Sequence, residues 1–292
     1  MRKKRVKFAS TDYLYSSLPN TRKDAFKDVY KHNFLTILKS GLTLLVSFIP
    51  LLAFLVVMDV GKMGMTLDYY SEEDLQGVLL LWDIIHTVGI VILFILVVLA
   101  LSGVLRVLKL LIYQEGIDYF YDFKQGIKEN FKNFFLIYLI FALLFLLTYL
   151  LQLFFIRQII GIVILVLFFI IFLPMVFWIY LTINIYETRF WDYIKNGFFF
   201  NFKNILFSLL YLLMIIWPMV VCFLFAENII SIGVNLIYIV IKYVLLAVMA
   251  ILYYPCLFVV ALFFSCSKFD QYINKEQYPE IYRKGLYDPK NK

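Results

Sequence analysis

The stretch IIGIVILVLFFIIFLPMVFWIYLTINI, Ile159–Ile185, runs for 27 residues without a charged side chain. A helix rises 1.5 Å per residue, so this length is enough to cross a hydrocarbon core of roughly 30 Å. Five further stretches meet the same requirement: approximately Phe34–Met58, Val78–Val104, Phe134–Ile156, Ile205–Phe225 and Val234–Phe264. The expected fold is therefore an all-α polytopic membrane protein of six transmembrane helices. A basic N-terminal segment, 1–33, precedes a membrane domain, 34–265, and a tail, 266–292, follows it.

Composition agrees: 63% of the 292 residues are hydrophobic and 16% charged, against about 45–50% and 25% in soluble domains. The formal charge of +7 does not point to nucleic acid, because the basic residues sit in short segments between apolar runs rather than on one soluble face. They orient the chain instead. Of 27 Lys and Arg, 24 fall in Arg2–Lys39, Arg106–Lys132, Arg189–Lys203 and Lys268–Lys292, which six spans place on one side. Lys62 and Arg157 fall on the other side and Lys242 inside the last span. Positive charge marks the cytoplasmic side, so both termini are expected there, in a bacterial plasma membrane. The N-terminus lacks an apolar core with a small-residue cleavage site, and no cleaved signal peptide is expected. Cys222, Cys256 and Cys266 lie within or beside apolar runs without metal-binding spacing and read as reduced packing residues.

Three segments on the basic side resemble one another. DAFKDVYKHNFLTIL starts at Asp24, DFKQGIKENFKNFFL at Asp122 and DYIKNGFFFNFKNIL at Asp192. Each has an Asp, an aromatic one or two positions later and an Asn-Phe pair: Asn33-Phe34, Asn130-Phe131 and Asn201-Phe202. Lys132 and Lys203 follow the last two pairs. The pattern predicts a short interfacial amphipathic helix before each odd-numbered span, with aromatics at headgroup depth and lysines toward anionic lipid. The Asn is expected to cap the turn into the membrane. Three such units would make a threefold internal repeat of hairpins around a pseudo-threefold centre, whereas hairpins in a linear row would contradict it.

Ionisable residues within spans are costly and are candidates for function. Asp83 and His86, three apart on one helix face, and Lys242 lie at comparable depth, so an Asp83–Lys242 ion pair is expected, with Glu227 a further partner. These could form an outward-opening polar pocket or a structural pair with snorkelling at the interface. Asn184, Gln152, Ser102 and Thr182 are expected to bond across helices. Pro50, Pro174, Pro218 and Pro255 predict kinks.

Motifs for chemistry are missing. The chain has no GxxxxGK[ST], HExxH, GxSxG or glycine-rich dinucleotide loop and only two His, so neither an enzyme nor a bound cofactor or metal is expected.

The segment Gly103–Phe135, GVLRVLKLLIYQEGIDYFYDFKQGIKENFKNFF, with Arg106, Asp122, Phe123, Lys124, Asn130, Phe131 and Lys132, resembles the central element of YesL-like proteins, a bacterial family of uncharacterised integral membrane proteins. The C-terminal string FDQYINKEQYPEIYRKGL is also similar. The resemblance implies an accessory role beside carbohydrate ABC importers and supplies no catalytic residues. A permease-type coupling loop is missing between Arg106 and Lys132. The expected function is a non-enzymatic accessory or regulatory protein that contacts ABC transporter subunits through its basic side. The rival is an autonomous transporter of a small solute using the Asp83, His86 and Lys242 group.

Overall fold

The computed structural model describes residues 19–67, 72–154, 159–230 and 235–287, whose regular elements are all helices, with no strand among them. In order they form α1 (Arg22–His32), α2 (Phe34–Leu67), α3 (Glu72–Ile112), α4 (Tyr119–Phe154), α5 (Ile159–Ile185), α6 (Phe190–Lys203), α7 (Ile205–Ile230) and α8 (Asn235–Phe269). A π-helical turn, Asp270–Asn274, and a last short turn, α9 (Lys275–Gln277), continue from α8. Helices α2, α3, α4, α5 and α8 each contain a stretch long and apolar enough to cross a membrane; α6 and the first half of α7, bent by 96° at Asn204, raise the number to six if counted as one broken span. The chain is a multi-pass helical membrane protein.

Each of the three aspartates lies in the first turn of a helix, Asp24 in α1, Asp122 in α4 and Asp192 in α6. There it faces the positive end of the peptide dipoles. Thr21 caps α1 by accepting from the Asp24 N–H at 3.2 Å. At α4, Asp122 accepts from the Asp118 N–H at 2.8 Å, and Asp118 accepts in turn from the Tyr121 N–H.

The three entrances then diverge. α1 ends at Asn33, whose N–H reaches the Val29 carbonyl and whose own carbonyl accepts from Thr36 and Ile37 at the start of α2. α6 ends at Asn204, with its side-chain amide on the Phe200 carbonyl. The second entrance does not form a separate helix, because Tyr119–Phe154 is continuous. Asn130, expected as a cap, is buried in mid-helix and donates to Asn184 Oδ1 at 3.3 Å across to α5. An Asn that bonds its own backbone competes with the helix; one that reaches another helix leaves the ladder intact. Asn201 is likewise buried and donates to the Ile171 carbonyl of α5.

The helices close on themselves. α2 packs on α3, α3 on α4, α4 on α5, α5 on α6 and α7, α7 on α8, and α8 returns to α2. The closing contact is tight, since a Cβ at Gly41 of α2 would strike the Ile251 carbonyl of α8. Gly126 is confined less severely against α3, 2.9 Å from its ideal Cβ position to the Gly103 Cα. Small residues permit such backbone approach between membrane helices.

Each entrance lies on the end of a neighbouring helix. α1 packs on α8 through Phe26 against Phe263, the start of α4 packs on α3, and α6 packs on α5 through Phe200 against Trp178. The most completely buried side chains, including Trp178, Phe134, Phe200, Phe269, Leu105 and Leu108, gather at this end. The Phe134–Tyr180 and Phe200–Phe269 rings lie 4.3 and 4.7 Å apart. Asn184 bonds across helices as expected, whereas Ser102 and Thr182 bond carbonyls of their own helices.

Candidate functional site

Polar side chains converge in two places, one toward each end of the bundle. At the end remote from the described termini, α2 continues past Met58 to Leu67 and carries Asp59 and Lys62 between α3 and α8. Lys62 Nζ lies 2.8 Å from Asp83 Oδ1, and Lys242 Nζ lies 2.7 Å from Asp59 Oδ2. The Tyr243 hydroxyl donates to the same Asp59 oxygen at 2.7 Å. The expected Asp83–Lys242 pair is thus replaced by two pairs, each using a residue of α2. An apolar-run criterion ended the first span one residue too early to include Asp59. The i, i+3 spacing of Asp59 and Lys62 was the available signal.

His86 lies within electrostatic reach of Asp59, Asp83, Lys62 and Lys242. Its ring is 6.2 Å from that of Phe54, and its buried Nε2 has no hydrogen-bond partner among the described residues. The side chains of Glu227 and Cys222 lie outside the described residues. Asp83, His86 and Lys242 are therefore near one another, as two paired charge couples plus an imidazole.

The opposite end holds a network the sequence reading did not single out. Arg22 donates through Nη2 to Asp270 Oδ2 at 2.7 Å and through Nη1 to the Lys284 carbonyl at 2.9 Å. The other Asp270 oxygen accepts from Asn274 Nδ2 at 2.8 Å and from the Arg283 N–H at 3.1 Å. The Tyr186 hydroxyl, just past α5, donates to Asn274 Oδ1 at 2.5 Å. Burial holds the Tyr186 phenol well above its ordinary pKa, so it remains a donor. Lys284 Nζ pairs with Glu115 at 2.5 Å, and the Tyr287 N–H donates to the Pro19 carbonyl at 2.9 Å. Gly285, at φ +80°, passes so close to the Ile112 carbonyl that a side chain would collide. The segment Asp270–Tyr287 is thereby pinned across the ends of α1, α3 and α5.

Beneath it, Lys109 Nζ donates to the Asn184 carbonyl at 2.7 Å, a cation at the negative end of α5. Arg106 pairs with Glu129.

No family model, curated protein or solved structure matches this chain.

Of the residues expected to meet a partner or lipid, Asp122, Asn130 and Asn201 are buried; Asp122 bonds at the start of its own helix, while the two asparagines reach across to α5. Asp24 is engaged with Thr21. Phe34, Lys132, Phe202 and Lys203 are exposed, and Asn33, Phe131 and Asp192 are intermediate. Among the described residues no group of three or more His, Cys, Asp or Glu is placed to hold a metal ion.

Proposed function

We propose that this protein is a non-enzymatic accessory or regulatory membrane protein that docks a partner through the face carrying its described termini. The observation that supports this reading is the pinned segment Asp270–Tyr287. Its Arg22–Asp270 ion pair, Tyr186–Asn274 bond and Lys284–Glu115 pair bind it to three helices. A partner meeting a surface already ordered loses less conformational entropy on binding. Six spans arranged as three entrance-plus-hairpin units, with both termini cytoplasmic, fit this reading. The similarity to YesL-like proteins suggests the class of partner, the subunits of a carbohydrate ABC importer.

The test is purification of the tagged chain from its native membranes under mild detergent. Stoichiometric recovery of importer subunits, lost when Lys275 and Glu276 of the exposed last turn are both reversed in charge, supports the reading. Recovery of the chain alone, together with solute movement in liposomes containing only this chain, overturns it.

That second outcome belongs to the rival reading, a small-solute transporter. The gathering of Asp59, Lys62, Asp83, His86 and Lys242 from three helices favours it, because charged groups inside a membrane domain mark ion or substrate paths.

A further inference from the structure

Lys203 is the last residue of α6, and Lys268 lies one residue before the end of α8. Aromatic contacts join them into one patch. Lys203 Nζ sits 5.6 Å from the centre of the Tyr272 ring and Lys268 Nζ sits 5.5 Å from that of Phe264. Phe264 stacks on Phe207, in the first turn of α7, with centres 3.5 Å apart. Tyr272 touches Phe199 and Phe200 of α6. Both lysines therefore flank the corner where α6 turns by 96° into α7.

Among the described residues neither lysine forms an ion pair with a carboxylate. Gln271 Oε1 accepts one hydrogen bond from Lys268 Nζ at 3.5 Å, while the neighbouring Asp270 is turned inward to Arg22. An ammonium resting on a ring face keeps N–H donors for an oxyanion. Directly beside Lys203, Phe202 is 54% and Leu206 82% exposed. If α7 crosses the bilayer, the right-angled bend lays α6 along its surface, lysines at headgroup depth and these apolar side chains toward the acyl region. Two cations above an apolar shelf match the two ends of one molecule.

We propose that the corner formed by the α6–α7 bend and the end of α8 binds an anionic glycerophospholipid, Lys203 and Lys268 holding its phosphate and Phe202 and Leu206 meeting its chains. This site is independent of the docking reading, since it needs no partner protein.

The test uses the full chain in vesicles of phosphatidylcholine, alone or with one-third phosphatidylglycerol. Amine labelling of Lys203 and Lys268, relative to the exposed Lys124 and Lys128, is expected to fall several-fold when phosphatidylglycerol is present. The double variant Lys203→Gln/Lys268→Gln is expected to retain phosphatidylglycerol roughly 30-fold less well through detergent exchange, taking the usual contribution of each of two lysines near an anionic surface. Lys124→Gln/Lys128→Gln, which removes the same charge, is expected to retain it normally. Equal loss in both variants, or equal labelling of Lys203 and Lys268 in both vesicles, overturns the proposal. So does protection of these lysines by inorganic phosphate in phosphatidylcholine vesicles, which would make the site one for free phosphate. The labelling needs only the unaltered chain, so it decides the matter even if the first double variant does not fold.

Discussion

Arg22 and Lys284 both form ion pairs on the same face, yet they are expected to contribute very differently. The Arg22 and Asp270 side chains are 13% and 10% exposed, and those of Lys284 and Glu115 are 39% and 37%. Removing one member of a buried pair strands the other charge, at about 3–5 kcal/mol, whereas an exposed pair contributes about 0–1 kcal/mol. Arg22→Met is therefore expected to release the segment Asp270–Tyr287 and speed trypsin cleavage after Arg283 and Lys284 by more than tenfold. Glu115→Ala should change that rate less than threefold. Comparable rates in the two variants would remove Arg22 from its role as the main lock. The charges remote from the described termini allow a cleaner test of which residues pair. Lys242→Met leaves Asp59 without this cation and is expected to lower folded yield by an amount equivalent to about 3 kcal/mol. Adding Asp59→Leu should restore much of it, while adding Asp83→Leu should not. Rescue by Asp83→Leu alone would re-establish the pairing expected from sequence.

Helix identity was legible because it rests on length and apolarity, both local properties of the chain. α5 matches its expected bounds, Ile159–Ile185. Ends were less legible where a helix continues through charged residues, as α2 does beyond Met58 and α4 does before Phe134. The three entrances show why similar strings can differ in structure. Whether an Asn ends a helix depends on what its amide can reach, and for Asn130 that is Asn184, 54 positions away. Packing between α2 and α8 depends equally on a distant neighbour. Gly41→Leu would force α2 away from the Ile251 carbonyl, and a loss of about 1–3 kcal/mol is expected from such overpacking. Melting in detergent measures this; a melting temperature equal to that of the unaltered chain would mean that α2 and α8 do not approach this closely.

At the scale of the whole molecule, the Pro19–Tyr287 bond brings the described ends of the chain together on one face. Reporters fused to either terminus should therefore have the same fate. On the proposed reading that the basic face is cytoplasmic, a fluorescent protein should fold and glow at both ends, and an alkaline phosphatase, which needs the oxidising side, should be inactive at both. Opposite results at the two ends would require an odd number of spans. The candidate sites were less legible than this topology. Asp83, His86 and Lys242 stood out because charge is conspicuous inside an apolar run. Arg22, Asp270, Asn274 and Tyr186 did not, since each is an ordinary boundary residue until the fold brings it to partners as far as 248 positions away.

Those long separations also order events during synthesis. Asp59 is made 183 residues before Lys242, and Arg22 is made 248 residues before Asp270. Chains emerge N-terminus first at about 5–20 residues per second, so both early charges wait several seconds or longer for their partners. A chain that stops short of α8 leaves Asp59 and Arg22 without them and α2 without the neighbour that closes the ring. A chain that ends before Lys242 thus differs electrically from the finished protein, and it carries that difference at Asp59, whose carboxylate lacks its cation.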